Sequence, residues 1–91
     1  MNDILTEIKE KCYGITRRLA LAGDNDVNVT NFCKWFMTLD KKQQKHASEV
    51  YIIFEQYCFG KITLDEAKKL YDEEVKRYGT ENDNDTVPEM G

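Results

Sequence analysis

The sequence predicts an all-α fold: a small bundle of three long helices plus one short helix, followed by a disordered acidic C-terminal tail. Three observations carry that expectation. In residues 47–60, Ala47, Val50, Tyr51, Phe54 and Cys58 share one stripe at a turn of about 100° per residue. In residues 4–22, Ile4, Leu5, Ile8, Cys12, Ile15, Leu19 and Ala22 form a second stripe with helical spacing. Between them and a third periodic segment stand glycines and capping residues, at Gly23, Gly60 and Gly79.

Asn2 or Asp3 opens the first helix, because either side chain can accept hydrogen bonds from amides one turn in. Gly23 is suited to a left-handed cap, and Asp24-Asn25-Asp26 reads as a polar turn. Gly14 lies inside this helix, where glycine costs about 1 kcal/mol against alanine. It is either tolerated or lets another backbone come close. The short helix starts at Thr30 or Asn31 and carries Phe32, Trp35, Phe36 and Leu39. Trp35 is expected to be largely buried, with an acceptor for its indole N–H.

Asp40 and Gln43 form a capping box for the central helix. Five apolar residues in succession, Val50 to Phe54, also fit a buried strand, but the long lead-in from Asp40 without turn residues favours a helix. Gly60 closes it. Thr63 and Glu66 box the start of the last helix, and Ile62 and Ala67 occupy the hydrophobic-staple positions. That helix is expected to run to Tyr78 and to bury Leu64, Ala67, Tyr71, Val75 and Tyr78. Outside, Asp65 is spaced to pair with Lys69, Asp72 with Lys76 and Glu73 with Arg77. Gly79 ends the helical domain, residues 1–79, and leaves residues 80–91 as the tail.

Of the 91 residues, 17 are acidic and 13 basic, giving a net charge of −4. Residues 1–79 hold 13 of each sign, whereas residues 80–91 hold four acids and no base. The helical part is therefore neutral overall, which argues against a nucleic-acid binder on bulk charge. No apolar run is long enough to cross a bilayer, and Met1-Asn2-Asp3 lacks the basic start of a secretory signal. Three cysteines at positions 12, 33 and 58 predict free thiols in a reducing compartment, the cytoplasm.

No catalytic constellation is legible, and the chain is read as a non-enzyme without cofactor or metal. Glu55 to Glu66 resembles the outline of a calcium-binding helix–loop–helix, with Gly60 and Glu66 at the sixth and twelfth places. Tyr57 and Phe59, however, stand where calcium needs oxygen ligands. Its Gly-x-Ile-Thr-x-x-Glu run is also similar to short helical-hairpin modules, a likeness that implies no activity. Cys12, Cys33, Cys58 and His46 lack zinc-ligand spacing, and core positions explain the cysteines. His46 follows Lys45 on the polar face and reads as solvated.

Two surface features point to binding. Tyr13, Arg17 and Arg18 lie away from the first helix's apolar stripe, and Ile52 points away from that of the central helix; tyrosine and arginine are common binding anchors. The acids Asp65, Glu66, Asp72 and Glu73 suit a basic patch on a partner. The expected function is a small protein-interaction module, an accessory or inhibitor protein of a phage or mobile element, occupying a partner or another copy of itself. One alternative is a helix-turn-helix-like DNA binder using Lys41, Lys42, Gln43, Gln44, Lys45 and His46. Another is an oligomer that captures an anionic small ligand through Tyr13, Arg17 and Arg18.

Overall fold

The computed structural model describes residues 3–22 and 26–84, which form four helices: α1 (Ile4–Ala22), α2 (Asp26–Phe36), α3 (Lys41–Cys58) and α4 (Leu64–Asn84). The all-α expectation of three long helices and a short one is met. Gly23 and the residues beyond 84 lie outside the described part, so the left-handed cap at Gly23 and the tail from 85 to 91 do too.

The α1–α3 seam is the main contact of the bundle; α4 packs on α3, and α2 lies against α1. Ile8, Cys12, Ala47, Val50, Ile53, Phe54 and Ala67 form the buried cluster. Burying a side chain such as Ile8 or Val50 stabilises the fold by roughly 1.5–3 kcal/mol. Small residues set how closely α1 and α3 approach. The Cys12 thiol donates to the Ala47 carbonyl at 3.4 Å, and both residues are fully buried. Thr16, also fully buried, donates its hydroxyl to the Cys12 carbonyl of its own helix at 2.8 Å, so no polar group is orphaned at this crossing.

The helix ends follow local chemistry. Asp3 Oδ1 accepts from the Leu5 amide at 3.2 Å. Asp40 Oδ1 accepts from the Gln43 amide at 2.8 Å while Gln43 Oε1 accepts from the Asp40 amide at 3.1 Å, which completes the capping box. The Thr63–Glu66 box closes in the same way, at 2.8 and 3.1 Å. Gly60 adopts a φ of +79°. With it, the Lys61 amide reaches the Gln56 carbonyl and the Gly60 amide the Tyr57 carbonyl, a Schellman ending that only a left-handed residue allows.

Several expectations are corrected. α2 begins at Asp26, ahead of Thr30, because Val29, Phe32, Cys33 and Phe36 continue one helical face back to Val29; Asp26, expected in a polar turn, is its first residue. Trp35 is only partly buried, although its indole N–H donates to Glu7 Oε2 at 2.7 Å. Cys33 is exposed and not core.

α4 runs through Gly79 to Asn84, so the helical part does not end at residue 79. Gly79 has no left-handed φ, and the Thr80 hydroxyl donates to the Lys76 carbonyl at 2.9 Å, which continues the turn. Leu64 is exposed, since it stands at the first position of α4, beyond the edge of the core. Arg77 pairs with Glu74, one turn back, and not with Glu73. Among the described residues the expected pairs Asp65–Lys69 and Asp72–Lys76 do not close.

Candidate interaction surface

Tyr13 stands 42% exposed on α1 with its ring edge-on to Phe54, centroids 5.9 Å apart. Phe54 in turn stacks on Tyr71 of α4 at 5.7 Å. These rings, with Tyr57 and the exposed Leu64, line an open trough of about 590 Å³ between α1 and α4. Lys9, Lys68 and Asp72 stand at its margin, and the Lys9 ammonium lies 5.5 Å from the Tyr71 ring centroid. Burial, with Asp3 and Asp72 nearby, pushes the Tyr71 hydroxyl above its ordinary range, so it remains a neutral donor at physiological pH.

A second apolar groove, about 480 Å³, separates α2 from α3. Met37 is 72% exposed and Ile52 46% exposed beside it, and Phe32 packs against Tyr51 on its floor at 5.7 Å. Tyr13 and Ile52 therefore belong to different surfaces. Arg17 shares a shallow hollow with Tyr13, Tyr57 and Cys58, whereas Arg18 opens into a separate crevice between α1 and α2. The adjacent arginines thus do not converge, because successive residues on a helix point about 100° apart. Of the four α4 acids expected to meet a partner, Asp72 borders the trough, Glu66 is held in the capping box, and Asp65 and Glu73 are exposed.

In the run from Lys41 to His46, His46 is buried, and Lys42, Gln43 and Gln44 are half-buried. His46 is 1% exposed, which overturns the expectation of a solvated histidine. Its Nδ1 lies 2.9 Å from Glu74 Oε2, itself buried, and its ring lies 4.8 Å from that of Tyr78. The Lys42 ammonium also lies against Tyr78, 4.1 Å from its ring centroid. That contact accounts for a lysine at the unfavourable N-terminal end of the α3 dipole. Gln43 is engaged in the cap, and the Gln44 side chain donates to the Phe36 carbonyl at 3.2 Å. Lys41 and Lys45 are the exposed members of the run.

Glu74 escaped notice in the sequence because it is charged, although Ala67, Tyr71, Glu74 and Tyr78 fall on one face of α4 at spacings of four, three and four. The same holds for His46, which precedes Val50 and Ile53 by four and seven residues.

Cys12 carries no available nucleophile: burial pushes its thiol up to about 12. Among the described residues, no three His, Cys, Asp or Glu side chains gather where a metal ion would sit. No described helix is long and apolar enough to cross a membrane. No protein-family model, curated protein or solved structure matches this chain.

Proposed function

We propose that the chain is a small non-enzymatic interaction module that works by occupying the surface of a partner protein. The α1–α4 trough carries this reading. Three tyrosines, Tyr13, Tyr57 and Tyr71, and Leu64 meet solvent along one open groove floored by the buried Phe54 ring, and tyrosine is a residue type enriched at binding hot spots. An amphipathic helix of the partner fits such a groove, its apolar stripe on Tyr13, Tyr57, Leu64 and Tyr71. Charged flanks of that helix meet Lys9, Lys68 and Asp72, and Asp65 and Glu73 extend the acidic side towards a basic rim. Lysine-rich composition, with ten lysines to three arginines, and small size suit an accessory or inhibitor protein of a phage or mobile element.

Light scattering first distinguishes self-association from capture of another protein. Tyr13→Asp and Leu64→Asp then weaken whichever association is found by about tenfold or more, since each puts a charge into the apolar groove. Lys34→Asp, on α2, leaves it intact. Unchanged association in both trough variants, with helix content preserved, rules this surface out.

A further inference from the structure

We infer that the crevice between α1 and α2 binds the phosphate group of a small molecule, with Lys11 and Arg18 as counter-charges and Gly14 as the space the group enters. This goes beyond the proposed interaction role and does not rest on it; the crevice and the α1–α4 trough share only Glu10.

The crevice holds about 370 Å³, within the range of small-molecule sites. Lys11, Gly14 and Arg18 are spaced by three and four residues, so they share one face of α1. Asn28 and Asn31, one turn apart on α2, stand opposite them, and Ile15 and Phe32 supply apolar walls. Glu10 also borders the crevice, which leaves the ionised side chains around it with one net positive charge.

Gly14 is the observation that separates this crevice from an ordinary surface dip. It sits inside a 19-residue helix, where glycine is costly. Its backbone does not require glycine, because Gly60 is the only glycine with positive φ among the described residues. Packing does not require it either: an added Cβ would meet no atom within 4 Å. What the missing side chain does is leave open space between two cations that flank it along the helix.

Phosphate fits this arrangement better than a carboxylate. The Arg18 fork takes two oxygens, the Lys11 ammonium supplies a point charge to another, and the Asn31 amide adds a neutral donor. A carboxylate's two oxygens would be satisfied by the arginine alone. Ile15 and Phe32 are placed to cover the organic part of a phosphate monoester.

The test is a titration of the full chain, followed by amide resonances, with inorganic phosphate and adenosine monophosphate, ionic strength being held constant with chloride. Saturable shifts at residues 14, 28 and 31 are expected, weakened about tenfold or more by Arg18→Gln and by Gly14→Leu. Gly14→Leu suits a helix and fills the space, so its fold, read by urea unfolding, is retained; Arg18→Gln alters an exposed residue and keeps the test independent of that variant. Arg17→Gln leaves binding unchanged. Shifts that never saturate, or affinity retained in both Arg18→Gln and Gly14→Leu, overturn the site. Acetate binding as well as phosphate overturns the choice of anion. Duplex DNA binding more tightly than adenosine monophosphate, with the same variants affected, overturns the small-molecule assignment.

Discussion

His46 and Glu74 meet between α3 and α4 with 2.9 Å between Nδ1 and Oε2, both side chains sealed from solvent. The carboxylate's other oxygen is taken by Arg77, which reaches it from the half-exposed edge of α4. A buried carboxylate is costly unless its lone pairs are filled, and here two donors fill them. Glu74→Ala leaves the imidazole N–H without an acceptor and is expected to cost about 2–3 kcal/mol. His46→Leu alone strands part of the carboxylate and costs a similar amount. The double variant Glu74→Leu/His46→Leu, measured by urea unfolding, is less destabilised than the two single changes added together. Strict additivity would mean that the pair is not a unit.

The Cys12 thiol gives the fold an alkaline limit. An ordinary thiol ionises near 9.0, whereas burial holds Cys12 protonated to about 12. The folded chain therefore keeps a proton that the unfolded chain loses, so stability is full below 9.0 and falls as pH rises towards 12. The slope this group adds is about 1.4 kcal/mol per pH unit. Urea midpoints between pH 9 and 11 should fall less steeply in Cys12→Ala than in the parent chain. In native buffer, mass-resolved alkylation should label exposed Cys33 well before Cys12.

Gly14 and Gly60 should respond oppositely to alanine. At Gly14 the helix gains about 0.5–1 kcal/mol, because the new methyl meets nothing and the unfolded chain loses freedom. At Gly60 the φ of +79° makes any Cβ unfavourable, and a loss of about 1 kcal/mol is expected. Thermal unfolding of both variants checks the pair; destabilisation at Gly14 would point to a contact absent from this structure.

The single tryptophan reports on α1 and α2 together. Its indole N–H donates to the Glu7 carboxylate at 2.7 Å, a hydrogen bond to a charged group. Glu7→Ala should lower stability by about 1.5 kcal/mol and shift Trp35 emission to the red as α2 loosens from α1. An unshifted spectrum would show that α2 is held by its other contacts alone.

Most of the fold was legible because its signals are local. The boxes Asp40–Gln43 and Thr63–Glu66 and the ending at Gly60 each depend on a few neighbouring residues, and all three formed. Gly79 misled, since a glycine next to polar residues reads as a stop, while the helix ladder simply passes through it. The start of α2 was missed because valines and asparagines are poor helix formers, and packing of Phe32 and Phe36 outweighs that preference.

The surface was less legible. Tyr13 and Ile52 were marked as exposed from periodicity, but which groove each borders depends on how helices cross, and no spacing reveals that. His46 reads as solvated and Glu74 draws no attention because polarity is weighed before position. A pair of opposite polar groups, each at an inward position of its own helix, is the pattern that identifies such a contact in advance.

Because α4 is fastened to α3 by Ala67 and Tyr71 near one end and by Glu74 further along, its two anchorages differ in kind. Cooling loosens the hydrocarbon grip, whereas the Glu74 contact is a directional hydrogen bond with no hydrophobic part to lose. A chilled chain should therefore fray this rod first from its Leu64 end, while the middle stays tied to α3.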